Sequence, residues 1–195
     1  MRILAIDPGY DHVGIAIMEG SASKPELVHS ECLVTNRADS REKRLAEIAD
    51  RIKKIIKIYK PERVAIETLF FGVNQKTGLG VAESRGAIMA EAGRAHIAVH
   101  EFNPNSVKVA VTGYGASKKQ GVTDMVKRLI KINKPIKYDD EYDAIAIGIT
   151  ALAISNSNRE AGIHLPGDGR GITVARRYIK NQPVGRGLAN NCRAA

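Results

Sequence analysis

The sequence predicts an α/β protein built on one mixed five-stranded sheet, three antiparallel strands followed by parallel crossovers, flanked by helices. Three observations predict it. Short apolar runs bounded by turn residues fill the first 34 positions, strands and helices alternate from there to residue 102, and apolar residues make up 44% of a 195-residue chain. The first feature specifies a meander, the second demands parallel strands with crossover helices, and the third supplies one full core.

The chain opens with Ile3-Leu4-Ala5-Ile6, too short an apolar run for a helix and suited to a buried strand. Asp7 interrupts it, Pro8 and Gly9 turn the chain, and residues 14–18 (GIAIM) return as a second strand. A carboxylate at the end of a buried strand is costly unless a cation sits against it. Asp7 therefore either holds a metal ion or receives a proton at the sheet edge, or caps its own loop as an Asx-turn.

Residues 21–24 form a polar turn and residues 26–34 (ELVHSECLV) a third, loosely alternating strand. Residues 37–60 follow as a helix, with Leu45, Ile48, Ala49, Ile52, Ile55, Ile56 and Tyr59 on one stripe. Asp39 or Ser40 is placed to cap it, and Pro61 ends it. Residues 63–69 (RVAIETL) make a buried strand that carries Glu67 near its end, and residues 70–80 a loop of Gly, Asn, Lys and aromatic residues. A helix of small residues is expected over 81–95, a strand over 98–102, and a short helix over 104–111 begun by Asn103 or Pro104.

Residues 112–119 (TGYGASKK) read as a flexible loop, and Ser117 as the cap of a helix burying Val122, Met125, Val126, Leu129 and Ile130. After a linker over 131–138, residues 139–154 form a strongly apolar helix. The composition then shifts to Asn, Gly, Arg and Pro. We expect a folded domain over 1–155 and a flexible tail over 156–195, which carries seven Arg or Lys against two acids.

Bulk properties narrow the function. No apolar run reaches the length of a membrane span, and the first residues lack the cationic-then-apolar pattern with a cleavage site, so no secretory leader is expected. Cys32 in a strand and Cys192 in the tail suggest free thiols, so a cytoplasmic protein is expected. The net charge of +9 points to a polyanionic partner, nucleic acid ahead of membrane.

Against that basic background the acids stand out. A crossover strand ending in Glu67 is expected beside the first strand, which sets Asp7 and Glu67 side by side. In Asp139-Asp140-Glu141-Tyr142-Asp143, positions 140 and 143 share one helical face. Acids in a first helical turn are ordinary, since the macrodipole favours them. Asp143, however, runs straight into Ala144-Ile145-Ala146-Ile147, so its face should turn inward, where acids and no matching cation are expected. Converging carboxylates need divalent charge, and hard oxygen ligands select Mg²⁺ or Mn²⁺ over zinc. Two such ions can activate water and stabilise the leaving oxygen of a phosphodiester.

These residues carry a resemblance. Asp7-Pro8-Gly9 with Gly14, Ala65-Ile66-Glu67, Arg85-Gly86 and Asp140-x-x-Asp143-Ala144-Ile145-Ala146-Ile147 together look like the RuvC-type Holliday-junction resolvases, over residues 1 to 155. The resemblance implies a ribonuclease H-like fold, a homodimer, and Mg²⁺-dependent paired nicking of a four-way DNA junction in recombination and repair, with a branch-migration complex as a further partner. It implies that Asp7, Glu67, Asp140 and Asp143 are catalytic metal-binding acids. Lys108 and Lys119 match basic positions lining the active site, and Lys118 is an equal candidate by its chemistry. Phe70 matches a loop aromatic that stacks on an unpaired base, a role Phe71 could share, with a core phenylalanine as the plain alternative. Lys76 and Arg85 complete the expected DNA-binding set.

The sequence also departs from that pattern. Tyr10-Asp11-His12-Val13 stand where small or basic residues are more usual, so Asp11 could add charge near the metals and His12 could orient a water. Glu83 replaces an expected glutamine. Three other functions compete: an ATP-binding protein of the actin and sugar-kinase group, which would need a second such domain; a junction-binding protein without catalysis, which would not need four acids; and a related nuclease acting on other branched DNA or RNA.

Overall fold

The computed structural model describes residues 1–69 and 75–161, and among these the side chains of 1–69 and 78–154. Strands β1 (Arg2–Asp7), β2 (His12–Ser21) and β3 (Lys24–Val34) form the meander. Helix α1 (Arg41–Tyr59), strand β4 (Arg63–Glu67), helix α2 (Gln75–Arg94) and strand β5 (Ala98–Phe102) follow as crossover units. Helices α3 (Pro104–Thr112), α4 (Lys119–Leu129) and α5 (Asp139–Ala161) complete the described chain. The sheet order is β3-β2-β1-β4-β5. β1 pairs antiparallel with β2 and parallel with β4, so the mixed sheet expected from the sequence is the one formed.

Alternation along the strands divides the core in two. Leu4, Ile6, Ile15, Ile17, Val64 and Ile66 pack with Ile48, Ile52 and Ile55 of α1 and Ile88 of α2. On the other face Ile3, Ala5, Ala16, Met18 and Ala65 meet Ala144, Ile145 and Ile149 of α5, with Val107, Val111, Val122 and Val126 from α3 and α4. The second face is lined by small residues, which lets α5 approach closely. A Cβ added to Gly148 would stand 2.3 Å from Met18 Cγ and 3.2 Å from Ala5 Cβ. Among the described residues no helix is long and apolar enough to cross a membrane, and Cys32 in β3 is a free thiol.

Several boundaries differ from expectation. β2 and β3 run further, meeting at a tight turn between Ser21 and Lys24. α1 begins at Arg41 with Ser40 as N-cap; the Ser40 hydroxyl makes no cap bond and binds Glu42 at 2.5 Å instead. α2 begins at Gln75, earlier than 81, so part of the predicted loop is helical. Within that stretch Gly80 packs against the Tyr10 ring, which a Cβ there would meet at 2.9 Å. Ser117 does not cap α4. Lys118 occupies that place, and the Ser117 hydroxyl pairs with Thr112 Oγ1 at 2.7 Å. Asn103 does cap α3, its side chain accepting from Asn105 N, with Pro104 as the first helical residue. The backbone of α5 continues past residue 155 to Ala161; residues 162–195 lie outside the described chain.

Candidate active site

Register builds the site. The β1–β4 ladder runs to Ile6 opposite Ile66, so Asp7 and Glu67 are the next residue on each strand. Their carboxyl groups lie close enough to shift each other's titration, and Asp7 is held well above the usual carboxylate range. Burial is the main cause, followed by the charges of Glu67, Asp143 and Asp140. Glu67 is also raised, chiefly by burial, with Lys108 and Lys119 pulling the other way.

α5 brings the second pair of acids over the strand ends. Gly14 of β2, opposite Asp7 in the ladder, makes the approach possible: a Cβ there would lie 1.9 Å from the Asp140 carbonyl oxygen and 3.2 Å from Asp7 Cβ. The first turn of α5 therefore rests on bare backbone. Glu141 turns to the protein side and is buried, paired with Lys134 Nζ at 2.5 Å, and that ammonium also donates to the Ser30 carbonyl of β3 at 2.6 Å. The sequence offered a signal for this inward turn, since Glu141 lies four residues before buried Ile145 on one helical face. Lys134 carried no such signal.

The expectation that acids alone would surround Asp143 is corrected. Lys119, at the first residue of α4, places Nζ 3.0 Å from Asp143 and 3.8 Å from Asp139. Burial raises Asp143 above its ordinary value although Lys119 opposes it. Burial also works to lower Lys119, but the hydrogen bond and charge of Asp143 outweigh it and leave Lys119 raised. Asp140 faces His12 Nδ1 at 3.6 Å, and the His12 ring tilts against Tyr138 at 4.8 Å between centroids. Glu67, Lys108, Lys119 and Asp143 open onto one cleft of about 240 Å³, lined also by Pro104, Val107, Val122 and Ile147.

Among the described residues no group of three acid, histidine or cysteine side chains is already arranged to hold a metal ion. Asp140 instead lies 3.6 Å from His12 Nδ1, and Asp143 lies 3.0 Å from Lys119 Nζ. The donor set is nonetheless all carboxylate oxygen, which suits a hard divalent cation. Burial, first of all, raises Asp7, Glu67 and Asp143, and a cation bound among them would offset that cost. Asp7, Glu67, Asp140 and Asp143 fit such a cation in chemistry.

The other expected residues fall into distinct places. Lys118 is exposed at the α4 N-cap beside the cleft. Phe70 and Phe71 lie outside the described residues; Lys76 lies in the backbone of α2, with its side chain outside them. Arg85, expected at DNA, is only 16% exposed. Its Nε donates to the Glu67 carbonyl at 3.4 Å and its guanidinium pairs with Glu101. Asp11 adds no unbalanced charge near the acids: Arg44 at 2.5 Å and Arg37 at 2.6 Å hold it below its ordinary value. Glu83 pairs with Arg41 of α1 at 3.1 Å.

With this geometry in hand, comparison with known proteins is direct. The profile of the family Crossover junction endodeoxyribonuclease RuvC matches residues 3–151. The protein of that name from Fusobacterium nucleatum is 39% identical over 152 residues, 78% of this chain and 80% of its own length. That from Rickettsia conorii is 38% identical over 156 residues, 80% of this chain and 99% of its own. The structure of T. thermophilus RuvC in complex with Holliday junction substrate superposes with a TM-score of 0.73 at 28% identity, over 78% of this chain and 93% of that one. The yeast mitochondrial Holliday junction resolvase Ydc2, 15% identical with a TM-score of 0.55, shares the fold. The architecture is ribonuclease H-like.

Proposed function

The chain belongs to the RuvC family of crossover junction endodeoxyribonucleases, and on that premise we propose that it resolves four-way DNA junctions by paired symmetric nicks in recombination and repair. The observation that carries this is the convergence of Asp7, Glu67, Asp140 and Asp143 at one end of the sheet, short of cations, in a protein of net charge +9. The protein as a whole attracts phosphate, while the acids need divalent charge.

Asp7, Glu67, Asp140 and Asp143 are the residues that would hold the metal, two Mg²⁺ ions with Mn²⁺ as a substitute. When bound, such a pair supplies the charge that activates water and stabilises the leaving oxygen. Lys108 and Lys119 line the cleft that Glu67 and Asp143 enter, so a scissile phosphate drawn there meets two ammonium groups. Lys118 adds a third cation at its rim. Phe70, Phe71 and Lys76 take the junction-contacting roles that the resemblance implies. A homodimer supplies two such sites for two symmetric strands, a branch-migration complex is a fitting partner, and the cytoplasm is the fitting compartment. Residues 1–155 form the nuclease domain and 156–195 a basic tail.

The test is a gel assay of the purified chain on a labelled synthetic four-way junction, with Mg²⁺ or with chelator. Paired, symmetric, metal-dependent nicks are expected. Binding without cutting across metals and junction sequences would replace the nuclease by a junction-binding protein. Equal cutting of flaps or RNA would move the substrate to another branched nucleic acid.

A further inference from the structure

We infer that Arg85 and Glu101 form a positioning pair that fixes the end of β4 and so aims the Glu67 carboxylate, an inference that rests on Glu67 being a catalytic acid. The end of β4 is poorly held by the sheet alone. Its ladder with β1 stops at Ile66, leaving Glu67 only β5 as a strand neighbour, through Phe102. β5 is five residues long and lies at the edge of the sheet. The Phe102 carbonyl takes Thr68 N at 2.9 Å and Thr68 Oγ1 at 3.3 Å. Beyond that, the described chain has no strand to hold Glu67, whose carboxyl group lies beside Asp7 and within reach of the Asp143 charge.

Arg85 supplies the missing tie. It reaches from α2 over both strand ends, giving one N–H to the Glu67 carbonyl and pairing its guanidinium with Glu101, which stands opposite Ile66 in the β4–β5 register. A planar fork with five donors can serve a carbonyl and a carboxylate at once, whereas a lysine ammonium presents a point charge. The Arg85 side chain is 16% exposed and Glu101 46%, so the guanidinium end of the tie is buried while its carboxylate partner faces water. A displacement of about 1 Å at a reacting group costs on the order of a hundredfold in rate, so holding this backbone bears directly on cutting.

A phosphate contact is the competing role, and the two predict opposite results for Glu101. Removing an acid would strengthen a DNA contact; removing half of a positioning pair would slow the chemistry. We would compare Arg85→Lys, Arg85→Met and Glu101→Gln in the full chain by three measurements. These are single-turnover cutting at saturating junction, junction affinity across salt concentrations in chelator, and amide hydrogen exchange at Thr68.

Each variant should cut on the order of tenfold to a hundredfold more slowly, with junction affinity and salt slope unchanged and the Thr68 amide exchanging faster. Glu101→Gln, the mildest change, keeps the test open if an Arg85 variant fails to fold. Wild-type cutting by Glu101→Gln with Thr68 still protected would overturn the pair. So would loss of affinity in Arg85→Met with a salt slope lower by about one. If the wild-type chain cuts no junction, the proposed function fails separately, and exchange at Thr68 still decides: faster exchange in Arg85→Met supports the tie, and unchanged exchange overturns it.

Discussion

Glu31 and Asp7 are two partly buried acids of one sheet whose titration moves in opposite directions. Burial raises both. At Glu31 it is outweighed by hydrogen bonds from His29 at 3.0 Å and from Arg51, whose Nε lies at 2.5 Å, and by the Arg51 charge, which together bring the group down to about 2. At Asp7 the neighbours are Glu67, Asp143 and Asp140, and the shift adds to that of burial. At Glu31 cationic partners reverse what burial does; at Asp7, which is deeper, burial leads and the acidic neighbours add to it. Asp11 repeats the Glu31 pattern with Arg44 and Arg37. Acids on the α1 side of the sheet are thus matched by arginine and hold the fold, while those at the strand ends are left short of cations. The acids without arginine partners are the ones proposed above to hold metal, in keeping with the clustering of perturbed groups at functional sites.

The largest expected effect breaks the working side. Asp7→Asn or Glu67→Gln should reduce junction cutting by about a thousandfold or more while DNA binding is kept or tightened, since repulsion of phosphate falls. Cutting by either variant at the wild-type rate in a gel assay would remove that acid from the site. Gly14→Ala comes next, because its Cβ would collide with the Asp140 carbonyl. It should cost about 1–3 kcal/mol or more in urea unfolding and should slow cutting as α5 shifts.

Glu31→Gln tests the matched side. Glu31 falls from 4.5 to about 2 on folding, so its stabilisation is complete above pH 4.5 and is lost as pH drops toward 2. The variant should be less stable than wild type near neutrality by roughly 1–2 kcal/mol, discounted for the part of the pair open to water. It should cut normally, and the two unfolding curves should converge in acid.

The smallest effect has the reverse sign. Asp7 is raised on folding, so as pH climbs above the ordinary value of 3.8 the unfolded chain loses its proton first and the folded state is penalised. Metal-free Asp7→Asn should therefore melt higher than metal-free wild type at pH 7, with the gap closing below pH 3.8. A lower melting temperature for the variant at pH 7 would mean that Asp7 is matched after all, as Glu31 is.

What could be read from the sequence was local. Ile3 to Ile6 ending at Asp7, residues 63–67 ending at Glu67, and the Pro8-Gly9 turn follow from alternation and turn chemistry within a few residues. The crossover rule then set Asp7 beside Glu67, and the phase of α5 turned Asp143 toward them. Helix starts were less legible: the Gly- and Lys-containing run before residue 81 reads as loop, yet α2 begins at Gln75 and packs Gly80 against the Tyr10 ring.

The sequence by itself determined which acids stand at the strand ends and on the α5 face, since strand and helix periods are properties of neighbouring residues. Only the tertiary structure decided which cations answer them. Lys119 reaches Asp143 from another helix, Lys134 joins Glu141 to Ser30, and Arg85 ties Glu67 to Glu101. Each of these bonds depends on how closely α2, α4 and α5 pack on the sheet. That closeness is set by side-chain volumes on two surfaces at once, Gly14 beneath Asp140 above all, and no local pattern records it.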